Sequence, residues 1–293
     1  MECSGKRYIA HSSRTDVFTL WNVSDMHLLN KACHLKQLRQ EIKQIGKDRF
    51  SFWIGGGDMW EAITPDDKRF DPRCVSGFVS IEDLSALGKL GMRVVEHELR
   101  PIAPKCLGLL LGNHELKYMR RKDQGDWHTD LCQWLGTHNL GYTTVFDVVF
   151  IRVAGRKPPR LLSASEANSP PYSNKSHRES FRIIATHGAG AAQTAGGRIT
   201  RVVKYMHAFP YAHIYFMGHV HDKTGQRLDG LDGDEACTSL VARPRIGVVA
   251  GGYLRTYAEN CIGYGEEKGY SPTTPGAAWV KIRPATRKYW GEI

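Results

Sequence analysis

Five short polar clusters, each placed where an apolar run ends, constrain this chain more than any other feature of its sequence. They are Asp25-Met26-His27, Gly57-Asp58, Asn113-His114-Glu115, His187 and His219-Val220-His221, and glycine flanks all but the first. An aspartate and a histidine two residues apart, where a strand opens into a loop, form a ready chelate. Taken singly, each cluster has a plainer explanation: Asp-x-His and His-x-His pairs are mostly surface or core, Asn-His-Glu caps a helix, and one histidine means little. All five in this order, each after a strand, read instead as one two-metal hydrolytic site.

The segments between the clusters follow from their periodicity. Residues 17–23 read as a buried strand, and apolar residues at 35, 38, 42 and 45 predict a helix from Leu29 to Ile45, stopped by Gly46. Arg49 to Ile54 is a second strand, running into Asp58. A second helix follows Ser80, carries Glu82 and Asp83 in its first turn, and halts before Pro101. Cys106 to Leu111 is a third strand, and Asp126 to Leu135 a further helix. Tyr142 to Phe146 and Val148 to Val153 read as a β hairpin. Phe181 to Ala185, Ile214 to Met217, Arg245 to Ala250 and Ala278 to Ile282 are later strands, with a helix from Ile199 to His207. Strands alternating with helices, each delivering polar residues at its C-terminal end, give an α/β fold. Two sheets with helices outside them, a four-layer α-β-β-α sandwich, would house all of this.

At 293 residues the chain is near the limit of one hydrophobic core, so a single domain over 1–293 is expected. A flexible insertion is expected at 156–179, where Pro, Ser, Asn and basic residues concentrate. No apolar run approaches the roughly 18 residues of a membrane span, and Met1 to Arg14 lacks the apolar centre of a signal peptide. No membrane partner and a cytoplasmic location are therefore expected. Seven cysteines without a Cys-x-x-Cys pair argue against a disulfide framework and fit a reducing compartment. The net charge of +10 favours acidic partners. Lys117, Arg120, Arg121 and Lys122 follow the third cluster, and Arg198, Arg201 and Lys204 the fourth. Such charges are either solvated surface or a lure for a phosphate backbone.

The donor set of Asp25, His27, Asp58, Asn113, His187, His219 and His221 combines carboxylate, imidazole and amide oxygen, without thiolate. It suits Mn²⁺, Fe or Zn²⁺ better than an all-oxygen Ca²⁺ cage. Seven donors exceed one such ion. Two ions about 3.5–4 Å apart that share one carboxylate would use them all.

These motifs resemble those of the calcineurin-like metallophosphoesterases, of bacterial or phage type. That family's pattern is Asp-x-His, Gly-Asp, Gly-Asn-His-Glu or -Asp, a lone His, then Gly-His-x-His. The resemblance covers roughly residues 17–255. It implies that Asp25, His27 and His221 hold one metal, that Asn113, His187 and His219 hold another, and that Asp58 bridges both. It also implies a catalytic His114, which donates a proton to the leaving oxygen or a hydrogen bond to the transition state. The implied reaction is hydrolysis of a phosphate ester by a metal-bridging hydroxide, with Mn²⁺ first and Fe, Zn²⁺ or Ni²⁺ as alternatives.

Departures from the pattern bear on substrate. Where the protein Ser/Thr phosphatase branch carries phosphate-clamping arginines, this chain has Leu111 and Met59-Trp60-Glu61. Glu61 either orients His114 or caps a helix. Glu61, Arg198, Tyr253 and Arg255 are the expected substrate contacts, and the glycines of 188–197 either admit phosphate to the backbone or only loosen a loop. Trp60, Tyr118, Trp127 and Tyr253 are aromatics on which bases would stack. The expectation is a phosphodiesterase or nuclease acting on DNA, RNA or nucleotides. Its alternatives are a phosphomonoesterase, a small-nucleotide phosphodiesterase, and a metal-binding scaffold that docks a protein. The cytoplasm would then be that of a bacterial cell or a phage-infected host. His11, His34, His97, His128, His138 and His177 receive no role, and His207 and His213 read as structural.

Overall fold

Beta-branched and aromatic runs give two sheets. The computed structural model describes residues 1–293 except 123, 124, 156, 175, 176, 191, 193, 235, 260, 263, 292 and 293. The smaller sheet has the order β12 (Lys288–Gly291), β11 (Ala278–Arg283), β2 (Phe18–Val23), β3 (Ser51–Gly55), β4 (Cys106–Leu109). Within it β2, β3 and β4 are parallel. The larger sheet has the order β6 (Arg160–Leu162), β1 (Glu2–His11), β5 (Thr143–Arg152), β7 (Arg178–Thr186), β8 (Ile214–Met217), β10 (Leu240–Val249), β9 (Thr224–Gly233). There β7, β8 and β10 run parallel.

The two sheets face each other across a dry layer. Phe18, Leu20, Phe52 and Leu107 of the smaller sheet pack on Phe146, Phe150, Phe181, Phe216 and Val248 of the larger. Burying each such side chain stabilises by roughly 1.5–3 kcal/mol. Helices cover both outer faces. On the smaller sheet, α1 (Leu35–Lys47) and α2 (Leu87–Leu99) set Leu38, Ile42, Ile45 and Val95 against Trp21 and Trp53, beside α3 (Asn113–Lys122) and α4 (Trp127–Trp134). On the larger, α5 (Ala164–Ala167) sets Ala167 against Ile151, and α6 (Ala195–Ala208) sets Val202 and Met206 against Tyr215 and Val249. A short α7 (Tyr264–Glu267) lies near the end. The four-layer α-β-β-α sandwich is thus the observed fold. No helix among the described residues is long and apolar enough to cross a membrane.

Several expectations are corrected. The hairpin over 142–153 is one strand, β5, because Asp147 sits in mid-strand opposite Arg182 of β7, with Oδ1 2.9 Å from Nε. The first helix begins at Leu35 rather than Leu29. Residues 28–33 are held instead by bridges from Leu28 to Trp60, Asn30 to Val75 and Cys33 to Leu254. The second helix is a 3-10 turn (Glu82–Ala86) followed by α2. The polar N-terminus is a strand, and β6 and α5 lie within 156–179, of which residues 156, 175 and 176 are outside the described residues. Cys74 and Cys261, 187 residues apart, form a disulfide, against the reading that disfavoured one. It joins the two segments that flank residues 28–33, where Lys31 N–H donates to Cys74 O and Arg255 N–H to Ala32 O.

Candidate metal centre

Each of the five clusters lies just beyond the C-terminal end of a strand: β2, β3, β4, β7 and β8 in turn. The first two loops continue the parallel pairing of their strands, since Asp25 N–H donates to Gly57 O and His27 N–H to Asp58 O. Tyr253 N–H then reaches Asp25 O from the segment after β10. This closeness excludes side chains at two places. A Cβ on Gly112 would lie 2.0 Å from the Asp58 nitrogen, and one on Gly218 would lie 2.1 Å from Ser24 Oγ.

Five of the donor residues hold left-handed backbone: Asp25 (φ 54°), His27 (46°), Asp58 (48°), His219 (69°) and His221 (50°). Such conformations cost about 1–3 kcal/mol each in residues other than glycine. The two Asp/His-x-His pairs share the device of left-handed residues at i and i+2; Asp25 and His27 serve one donor group together, whereas His219 and His221 are divided between the two.

The donors fall into two groups. In one, His221 Nε2 lies 3.2 Å from Asp25 Oδ1 and 3.4 Å from His27 Nε2. In the other, His187 Nε2 lies 3.2 Å from Asp58 Oδ2, 3.3 Å from His219 Nδ1 and 3.1 Å from Asn113 Oδ1. Outer contacts fix which ring nitrogen faces inward. His187 Nδ1 bonds Gly56 O at 2.8 Å, which only a donor can do, so Nε2 is the nitrogen left to face a cation. His27 Nδ1 bonds Glu61 Oε2 at 3.2 Å with the same result.

Charge makes the same point. Burial pushes the Asp25 and Asp58 carboxyls up, but the imidazoles of His221 and His187 respectively outweigh it and hold both below the usual range. Glu61 behaves likewise between His114 and His27. Three buried, ionised carboxylates require positive charge close by. Among the side chains alone, that charge falls on two histidines. Burial lowers both, yet Asp58 lifts His187 to about 10, and Asp58 with Glu61 lifts His114 to about 9. In each group, imidazole nitrogens face an ionised carboxylate, an arrangement that suits a divalent cation, so the donor set fits.

The expected site residues are distributed unevenly. Asp25, His27, Asp58, Asn113, His187, His219 and His221 converge, and His114 stands beside them, its N–H on Asp58 Oδ1 and its Nε2 4.0 Å from Asp58 Oδ2. Glu61 contacts both His114 Nδ1 (2.7 Å) and His27, at the former as an ion pair rather than an aligned hydrogen bond. Arg198 is 4 % exposed and spends its guanidinium on Ala192 O and Asp222 Oδ2, so it braces the loop after His221. Tyr253 is fully buried with its hydroxyl on Glu41, and Arg255 bonds Ala32 O.

The base-stacking expectation is corrected here. Trp60 (2 % exposed), Tyr118 (5 %) and Tyr253 (0 %) are core, and Trp127 packs against the same cluster, so no base reaches them.

Four supporting residues escaped sequence reasoning. Glu115 accepts the N–H groups of Asp58 (3.1 Å) and Met59 (2.5 Å), gripping the left-handed turn. Burial pushes its carboxyl up to about 8, with Asp58 adding to the effect. Ser24 donates to Asp25 Oδ2, Asn30 donates to Glu61 Oε2, and Asn22 donates to Met217 O across the sheets. Only Glu115 carried a signal, its place in the first turn after Asn113.

No protein-family model and no curated protein matches the chain. Solved structures that resemble it include Vps29 complexed with Zn²⁺ from Entamoeba histolytica, at 9% identity and TM-score 0.35 over 90% of this chain and 85% of that one. Another is a conserved protein from Streptococcus pneumoniae described as a predicted phosphoesterase, at 11% identity and TM-score 0.33 over 94% and 99%. A third is the NAD nucleotidase of Haemophilus influenzae, at 10% identity and TM-score 0.38 over 97% of this chain and 50% of that one. At these values the likenesses say nothing of what this chain binds or does.

Proposed function

We propose that the protein is a metal-dependent phosphoric ester hydrolase that uses two divalent cations, with phosphodiesters of nucleic acid or nucleotides as its substrate class. One observation carries this reading: seven donors from five strand-end loops meet in two groups, with His114 between Asp58 of one and His27 of the other. Asp25, His27 and His221 would hold one cation, and Asn113, His187 and His219 the other, with Asp58 shared. When bound, such a pair supplies Lewis acidity at phosphorus and water of lowered pKa. The chain's own part is to fix these donors and to hold a proton at His114. That ring, braced by Glu61, is placed to donate to the leaving oxygen. Met59 and Trp60 are buried, so the position of a phosphate-clamping arginine offers no cation for a monoester dianion.

The test is turnover of bis(p-nitrophenyl) phosphate beside the monoester with Mn²⁺. Diester turnover lost on chelation and restored by Mn²⁺ is expected. Faster monoester turnover would make the protein a phosphomonoesterase. Bound metal with neither activity would leave a scaffold for a protein partner.

A further inference from the structure

A basic groove of about 490 Å³ lies between α1 and the end of α2, on the outer face of the smaller sheet. Arg39, Lys43 and Lys47 form one wall at one-turn intervals, and His97, Glu98 and Pro101 form the other, with Glu98 paired to Arg39. It is separate from the metal centre, because α1 starts beside the 28–33 segment and runs to the opposite end of β3. Up the same two helices, Lys36, Lys89 and Arg93 extend the track as exposed residues. A 13-residue helix covers about 20 Å.

The acids on these helices are already engaged. Glu98 takes a two-pronged contact from Arg39, Glu96 pairs with Arg100, and Glu41 accepts from Tyr253 Oη and Ala277 N–H. Asp48 accepts from Phe50 N–H and Ser51 Oγ. Lys36, Lys43, Lys47, Lys89 and Arg93 have no ion-pair partner among the described residues.

A plain explanation for lysines in a last helical turn is that they offset the helix dipole. That task is already met. Lys105 Nζ donates to Ile45 O, Gly46 O and Asp48 O at 2.7, 2.9 and 2.9 Å, closing the C-terminus of α1. Lys43 and Lys47 then face each other at i,i+4, an arrangement that destabilises a helix by a few tenths of a kcal/mol.

We propose that this groove binds the phosphate backbone of a nucleic-acid strand as a second contact remote from the metal centre. Cations at one-turn spacing along a concave track match a linear polyanion. A bilayer would instead need exposed apolar side chains between the cations, and none of the exposed large hydrophobics lines the groove. The inference rests on the phosphoester reading only for why the strand is held; binding itself needs no chemistry at the metal centre.

The test is fluorescence anisotropy with a labelled 20-nucleotide single strand and its duplex, in EDTA, using the whole protein. Lys43→Glu/Lys47→Glu is compared with Lys6→Glu/Lys288→Glu, an equal change of charge at exposed sites on β1 and β12. The groove variant is expected to bind at least tenfold more weakly, with a salt slope for the single strand shallower by roughly 1.4. The control is expected to lose no more than twofold. Equal losses in both variants, or no binding by the wild type at low salt, would overturn the proposal. So would binding to phosphatidylserine vesicles in preference to the oligonucleotides. Hydrolysis of bis(p-nitrophenyl) phosphate by the same preparations reports separately on the metal centre, and the groove variant should retain it.

Discussion

Glu61 Oε1 stands 2.7 Å from His114 Nδ1, while its other oxygen stands 3.2 Å from His27 Nδ1. One carboxylate thus braces the proposed proton donor and a proposed metal ligand together. Replacing it with Glu61→Gln keeps the shape and removes the charge that helps lift His114. Turnover should fall by about 10–100-fold, and the alkaline limb of the rate profile should move to lower pH. Rate against pH, read with metal content, checks this. An unmoved limb would leave Glu61 a passive spacer.

Asp58 lies 3.2 Å from His187 and 4.0 Å from His114, and its carboxylate is held ionised by both despite burial. Asp58→Asn should lose bound metal and activity together, read by elemental analysis of the purified protein. Full turnover in that variant would remove Asp58 from the shared position.

His114 contributes its ring beside the ligands rather than among them. His114→Ala should retain the metals and lose about 10²–10⁴ in kcat. An unchanged rate with metal retained would take His114 out of the mechanism.

Chelation should cost stability as well as activity. Five left-handed donor residues are held in costly backbone, and metal saturated a hundredfold above its Kd stabilises by about 2.7 kcal/mol. The expected fall in Tm with EDTA is roughly 4–5 °C, reversed by excess Mn²⁺. No change in Tm would mean that the folded protein holds no metal that the chelator removes.

His128 gives a pH dependence away from the metal centre. Burial lowers it from 6.5, although its Nε2 bonds Leu109 O. Below pH 6.5 the unfolded chain takes up this proton while the folded chain resists it. Stability is therefore present above 6.5 and lost as pH falls through 6.5 towards the lowered value. Between pH 7.5 and 5, the urea midpoint of the wild type should fall further than that of His128→Gln. Parallel curves would show that His128 does not contribute.

The sandwich and the donor residues were legible because both are written locally. Buried strands such as 18–23 are mostly apolar, and each donor follows its strand within a few residues. What escaped depends on partners far away in sequence. β9, with its run of Gly, Asp and Arg, has no apolar periodicity and exists by pairing with β10. Asp147 read as a turn because Arg182 opposite it could not be seen. Trp60 and Tyr253 have the composition of a stacking platform, and only the packing of α2, α3 and α1 around them shows that they are core. The pairing of Cys74 with Cys261 likewise needs the loops around residues 28–33 to be in place.

Neither sheet owns a complete chelate. Asp25, His27, Asp58 and Asn113 hang from the smaller sheet, and His187, His219 and His221 from the larger, so each donor group takes members from both. A cation seated in either group is therefore a rivet through the two halves of the sandwich. Affinity for the ion then becomes a gauge of how the halves are aligned, and trimming an inner-face residue such as Phe150 or Phe52, far from any donor, would register as weaker metal retention.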